Sequence, residues 1–247
     1  TDHGTVVDPS GLDDCGMTLL PGAEIAPPGG ELNQTIHVVA IGLQDCPPDP
    51  QNDDPQPYIS QVSALADFCF VAHPSWSSLT CRDFMDLEGI AGVEVYNSVC
   101  HHEIGRGTSE VQWDDCLARG KRLYGLAVDD AHHRCEDRFY GRIMLKSPDR
   151  SPRGIIAALQ AGQFYSTTGP LIEAVEFDGD VVRIASSPCV EYFVISPRPG
   201  RGQTNWREGR FGEVMTSCEL HFPAQVRPVR IVVVDERGYR AWSNPYW

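Results

Sequence analysis

The chain reads as an α/β protein whose last third turns mainly β. Three observations carry this. Through the first two thirds, short apolar runs alternate with polar or helix-like segments. Between two of those runs lies TSEVQWDDCLARG (108–120), which has the length and the ends of a helix. From about residue 165 the chain breaks into alternating strands around turn signals. Strand, helix, strand at this spacing implies parallel pairing, hence an α/β barrel or a layered sheet. The expected division is 1–164 for the α/β part and 165–247 for the β part.

In chain order, MTLLPGAEI (17–25) and TIHVVAIGL (35–43) are predicted strands. DCPPDPQNDDPQP (45–57) reads as a Pro/Asp loop without regular structure. YISQVSALADF (58–68) has helical spacing, and CFVAHP (69–74), VEVYNS (93–98) and RLYGLAVDD (122–130) are strand-like. In the helix at 108–120, Ser109 and Gln112 fit a capping box and Gly120 suits the stop. SPRGIIAALQAG (151–162) is a further helix, with Ser151 as cap, Pro152 in the first turn and Gly162 at the end. LIEAVEFDGDVVRIAS (171–186) places a DG turn between two strands, and EYFVIS, EVMTSCELHF and VRIVVVDERGYRAW continue the β pattern.

The bulk properties narrow the function classes. With 247 residues and 41% hydrophobic composition the chain can bury a sizeable core. A net charge of -14 repels a nucleic-acid backbone, so no nucleic-acid partner is expected. No window of about 18 apolar residues occurs, so no membrane span is expected. The nine Cys are scattered and form no CxxC, which argues for reduced thiols and a cytoplasmic protein.

The chemistry gathers at strand ends. LAVDDAHH (126–133) brings two Asp and two His to the end of an apolar run. Residues two apart share a face of an extended chain, so Asp130 and His132 enter one space. A carboxylate beside an imidazole is a good half-site for a divalent metal. Asp129 and His133 are expected to point the other way, into solvent or toward a supporting hydrogen bond. His3, Glu24, His37 and His73 also lie on or just after predicted strands. If the strands are parallel, all six residues meet at one rim and form a metal site.

The motifs TDHG, LPGAEI, HVVAIGL, VAHPSW, VEVYNS and LAVDDAHH, in this order, resemble the PHP (polymerase and histidinol phosphatase) family from residue 1 to about 170. GQFYSTTGPLIEAVEFDG is similar to the segment that follows the barrel in metal-dependent phosphoesterases of that family. The resemblance implies a distorted (β/α)7 TIM-like barrel. It also implies two or three divalent metals and hydrolysis of phosphoester bonds by a metal-bound hydroxide. His-plus-carboxylate donors suit Zn, Mn or Fe, and a small phosphorylated metabolite is the expected substrate. The resemblance assigns His3, Glu24, His37, His73, Asp130 and His132 as ligands, with Glu24 bridging. The family pattern opens with a His-x-His pair on a first strand, and the chain begins downstream of it, at TDH. The first barrel strand is therefore expected to be missing, because the sequence is a piece of a longer protein or because it is a variant with a reduced metal site.

His101 or His102, in NSVCHHEIGRG, is a candidate proton donor to the leaving alcohol. Arg106 and Arg138 are candidates for phosphate binding. Asn97 is read as orienting a site group or capping a strand end; Trp76 and Trp113 are read as core or pocket wall. The same metals could hydrolyse a carboxylic or carbamate ester, and a degenerate PHP-fold binding module is the reading outside enzymes.

Overall fold

The structure is a computed structural model that describes residues 1–49, 53–132, 136–197, 205–209 and 213–247. Six strands build the first sheet: β1 (Asp2–His3), β2 (Gly22–Ile25), β3 (Val38–Ile41), β4 (Phe68–Val71), β5 (Gly92–Asn97) and β6 (Tyr124–Val128), in that order. Strands β2, β4 and β5 are buried along their whole length, which is why FCFV carries an unbroken apolar run rather than an alternation and why GAEI is small or apolar at every position but Glu24.

The pairing is mixed. β1 runs parallel to β2, and β4, β5 and β6 run parallel to one another. β3 is antiparallel to both β2 and β4. Its approach from β2 contains no helix: residues 26–37 are a loop pinned by the bridge Pro28↔Thr35, and such a return reverses direction. The expected parallel (β/α)7 barrel is thereby corrected to an open sheet, for among the described residues β1 and β6 do not pair. The sheet still curls enough to bring the rings of His3 and His132 to 5.9 Å.

The helices follow local chemistry. α1 (Pro55–Leu65) starts inside the segment expected to be irregular, with Asp54 accepting the N–H of Gln56 at 3.0 Å. Its two prolines sit in the first turn, where backbone N–H groups have no intrahelical partner to lose. α2 (Ser98–Ile104) is capped by the Asn97 side chain, which accepts the N–H of Cys100 at 3.0 Å. α3 (Glu110–Ala118) forms as expected, but not through a capping box. Ser109 Oγ instead accepts the N–H of Ser75, and Gln112 donates to the Leu79 carbonyl. Gly125 of β6 faces the buried Trp113 of α3; a Cβ there would lie 2.5 Å from the indole.

The remaining strands are β7 (Arg142–Leu145), β8 (Phe164–Thr167), β9 (Ile172–Asp178), β10 (Val181–Cys189), β11 (Glu191–Ile195), β12 (Asn205–Glu208), β13 (Met215–His221), β14 (Arg230–Val234) and β15 (Arg240–Ser243). Between β7 and β8 runs α4 (Pro152–Gln160), capped by Ser151 Oγ on the N–H of Gly154 as the sequence predicts. One antiparallel sheet has the order β12-β11-β14-β15-β8-β7, and a smaller one β13-β10-β9. The DG turn at 178–179 joins β9 and β10 as expected, with Gly179 at φ 58°.

Strand β14 ties the two parts together. All five of its residues are buried. Ile231 and Val233 pack with Val182, Ile184 and Tyr192 between the two β sheets, while Val232 and Val234 join the core under the first sheet. Period-two alternation then aims Arg230 the same way as Val232. Its guanidinium, 1% exposed, binds Asp114 through Nε (2.7 Å) and Nη2 (2.8 Å) and Glu110 through Nη2 (2.9 Å). Glu110 and Asp114 are four apart on α3 and so share a face. Arg230→Ala leaves two carboxylates facing a buried gap, and we expect a loss of about 3 kcal/mol in chemical denaturation. Arg240→Ala, at the half-exposed end of the same network, should cost less than about 1 kcal/mol.

Candidate metal centre

Four strand ends and one strand start converge. β2 delivers Glu24, β1 delivers His3 beside it in parallel register, and the chain leaving β4 delivers His73. β3 runs the other way, so its N-terminal approach, not its end, reaches this rim and carries His37. Asp130 and His132 follow β6. The six residues named from the sequence therefore meet at one rim, though His37 arrives for a different reason than the expected one.

The centre is the Glu24 carboxylate, 4% exposed. Its Oε1 has three imidazole neighbours: Nδ1 of His37 at 2.5 Å, Nε2 of His73 at 3.5 Å and Nδ1 of His3 at 3.8 Å. Donor atoms of His3, Glu24 and His37 all lie within 4.8 Å of one another, a spread that one ion can span. His73 Nε2 also lies 4.0 Å from Asp130 Oδ2, and His132 Nδ1 lies 3.7 Å from Asp130 Oδ1. His73 turns Nδ1 toward Ser77 Oγ (3.2 Å) and His132 turns Nδ1 toward the Asp130 carbonyl (2.7 Å). Each thereby keeps Nε2 for another partner, the way a ligating imidazole is normally fixed.

Burial pushes the Glu24 carboxyl up, but the imidazoles of His37 and His73 outweigh it and hold the group at about 2. Burial would lower His73, yet Glu24 and Glu94 together raise it. Asp130 is raised by burial, against the hydrogen bond from Asn97. Two of these residues sit in left-handed backbone, His73 at φ 28° and Asp130 at φ 52°. Strain of this kind is retained mainly at functional positions.

A supporting layer escaped the sequence reading in part. Glu94, fully buried in β5, accepts the backbone N–H of His73 at 2.7 Å and so fixes its unusual conformation. Burial pushes Glu94 up to about 7. Asn97 donates through Nδ2 to Glu94 (2.9 Å) and to Asp130 (3.0 Å), so it both caps α2 and orients a site carboxylate. The signal for Glu94 was available: an acidic residue inside the otherwise apolar VEVY. Trp76, 42% exposed, stands edge-on to His37 and His73 with ring centroids 5.9 and 5.0 Å away, and walls the site as expected.

Donors and wall enclose a cavity of about 90 Å³ lined by His3, His37, His73, Trp76, Val99, Cys100, Glu103, Asp130 and His132. The polar group that α2 sends into it is Glu103. Helical periodicity puts Val99, Cys100 and Glu103 on one face and turns the two candidate proton donors off it. His101 packs against Tyr96 at 5.5 Å and His102 against Tyr140 at 4.6 Å. Arg106 donates to Ser78 Oγ at 3.1 Å and does not line the cavity either. Asp129 points away from the cluster, as expected, and accepts the backbone N–H groups of Phe139, Tyr140 and Gly141. His133 lies outside the described residues.

No protein-family model matches the chain, and no curated protein matches it. Among solved structures it is similar to a two-domain protein containing a predicted PHP-like metal-dependent phosphoesterase from Bacteroides vulgatus ATCC 8482. The identity is 16% and the TM-score 0.44, over 87% of this chain and 70% of that one.

Because Asn97 ties Asp130 to Glu94, Asn97→Ala should weaken metal binding by tenfold to a hundredfold, read by competition with a chromophoric chelator. Unchanged affinity would mean that Asp130 is held by other contacts.

Proposed function

We propose that the chain is a metal-dependent hydrolase that cleaves a small phosphoester. The observation that carries this reading is the convergence of three imidazoles on one buried oxygen of Glu24, with Asp130 and His132 alongside. Histidine and carboxylate donors in this number suit Zn, Mn or Fe. His3, Glu24 and His37 would hold one ion; His73, Asp130 and His132 would hold a second, with Glu24 between them. A divalent ion supplies activated water at neutral pH and a counter-charge for the phosphoryl oxygens.

The chain's own side chains set the rest. Among the described residues no Lys or Arg lines the cavity. Two divalent ions would outweigh the carboxylates of Glu24, Asp130 and Glu103, so a loaded site is net positive and attracts an anion. This favours a phosphoester over a neutral carboxylic or carbamate ester. Trp76 covers the His37 and His73 edges and shields them from bulk water. Glu103, on the opposing α2 face, is positioned to carry a proton to the leaving oxygen, the role the sequence suggested for its neighbours His101 and His102. The motifs that resemble the PHP family point to the same six ligands.

The test is turnover of glycerol phosphate and of phenyl acetate side by side, with and without added Mn or Zn. We expect metal-dependent release of phosphate, lost with a chelator and reduced to below about one hundredth in Glu24→Gln. Faster turnover of phenyl acetate would favour the carboxylic ester reading. A metal-loaded chain that turns over neither would favour a binding module.

A further inference from the structure

A cavity of about 980 Å³ lies at the far ends of β5 and β6 from the metal centre. Ala91, just before β5, and Arg122 to Tyr124, at the start of β6, line it, whereas Asp130 and His132 follow the end of β6. The two spaces share no lining residue. The cavity forms where two apolar clusters fail to meet. On β7, Ile143 and Leu145 turn toward Phe68, Phe70 and Leu126. Period two sends Met144 and Lys146 the other way, and Tyr165 of β8 stands opposite Met144 in register. Tyr165 and Tyr246 edge the cluster between the two β sheets, as do Ile172 and Val175 of β9 on the far wall.

The segment after β15 makes another wall, and it is pinned. Asn244 Nδ2 donates to the carbonyls of Gly162 (3.2 Å) and Phe164 (2.9 Å), and its Oδ1 accepts the N–H of Gly125 (3.1 Å). Tyr246 and Val229 exchange both backbone hydrogen bonds, at 3.0 and 2.8 Å. Within these walls large apolar groups stay in water: Met144 is 38% exposed and Trp247 37%. The Arg122 guanidinium stands 4.7 Å over the Trp247 ring. Among the described residues neither Arg122 nor Lys146 has a carboxylate partner, and Glu173 is the one Asp or Glu in the lining. On a chain of net charge -14 this is a local excess of positive charge. Aromatic faces beside two unpaired cations suit a ring that carries negative charge. A bare inorganic anion would leave the rings unused, and a neutral ring would leave the cations unused.

We propose that this cavity is a second ligand site, separate from the metal centre, and that it takes a small planar aromatic anion. Its size falls in the range of small-molecule pockets, and it sits between two parts of the chain, where such pockets form. The site stands whether or not the chain is a hydrolase. It is tested on the full chain by calorimetry with naphthalenesulfonate and naphthalenemethanol, which share a ring system and differ in charge. A chelator is kept present, so that no metal ion holds the sulfonate. We expect the sulfonate to bind about tenfold tighter than the alcohol. Arg122→Gln and Lys146→Gln, both at exposed positions, should each narrow that preference to about threefold, and Trp247→Ala should weaken both compounds by about threefold. His132→Ala, at the metal rim, should leave both affinities unchanged. Absence of binding, equal binding of the two compounds, or a preference that survives both cation substitutions overturns the assignment. Loss of sulfonate binding in His132→Ala would place the anion at the metal centre and overturns it as well.

Discussion

Taking a carboxylate out of water is costly unless charge or hydrogen bonds replace its hydration, and Glu24 is almost fully buried at one rim of a sheet. What replaces the water is a set of imidazoles delivered by three different strands. The sheet's geometry follows from that need. The ends of β1, β2 and β4 and the start of β3 all have to reach one rim, and they do so because β3 alone is reversed. In this light the depressed Glu24 carboxyl and the raised His73 are two sides of one cluster of opposite charges.

Behind the donors stands a chain of buried polar contacts. Asn97 joins Glu94 to Asp130, Glu94 joins the backbone of His73, and Asp129 gathers the loop at 139–141. Each contact immobilises a residue of the cluster or of its wall. Donors on strand ends with such support are held more tightly than donors on free loops. The C-terminal sheets contribute in the same manner from a distance. β14 lends one face to each core, and Arg230 locks α3, whose partner strand β5 carries Glu94 and Asn97.

Much of this was legible in the sequence, and the failures have physical causes. The six residues were singled out because each sits on or just after a predicted strand, and that signal does not depend on strand direction. Strand direction itself was misread. VVAI looks the same parallel or antiparallel, and only the loop at 26–37, which has no helical pattern, hinted at the reversal. The barrel expectation failed with it. Helix α1 was placed three residues late because prolines were read as breakers where they form a first turn. The helix around His101 and His102 was hidden by its shortness, and without it Glu103 could not be told from its neighbours. Buried Glu94 was passed over because a strand pattern records polarity, not the hydrogen bonds that make a buried carboxyl tolerable.

The central claim is that Glu24 anchors a metal centre. Its most direct test is anomalous X-ray scattering from crystals of this chain grown with Mn or Zn. The account predicts a peak about 2.0–2.2 Å from Glu24 and His37, with a second beside Asp130 and His132. Well-ordered crystals with no peak at these donors, and with the Glu24–His37 contact intact at full metal concentration, would contradict it.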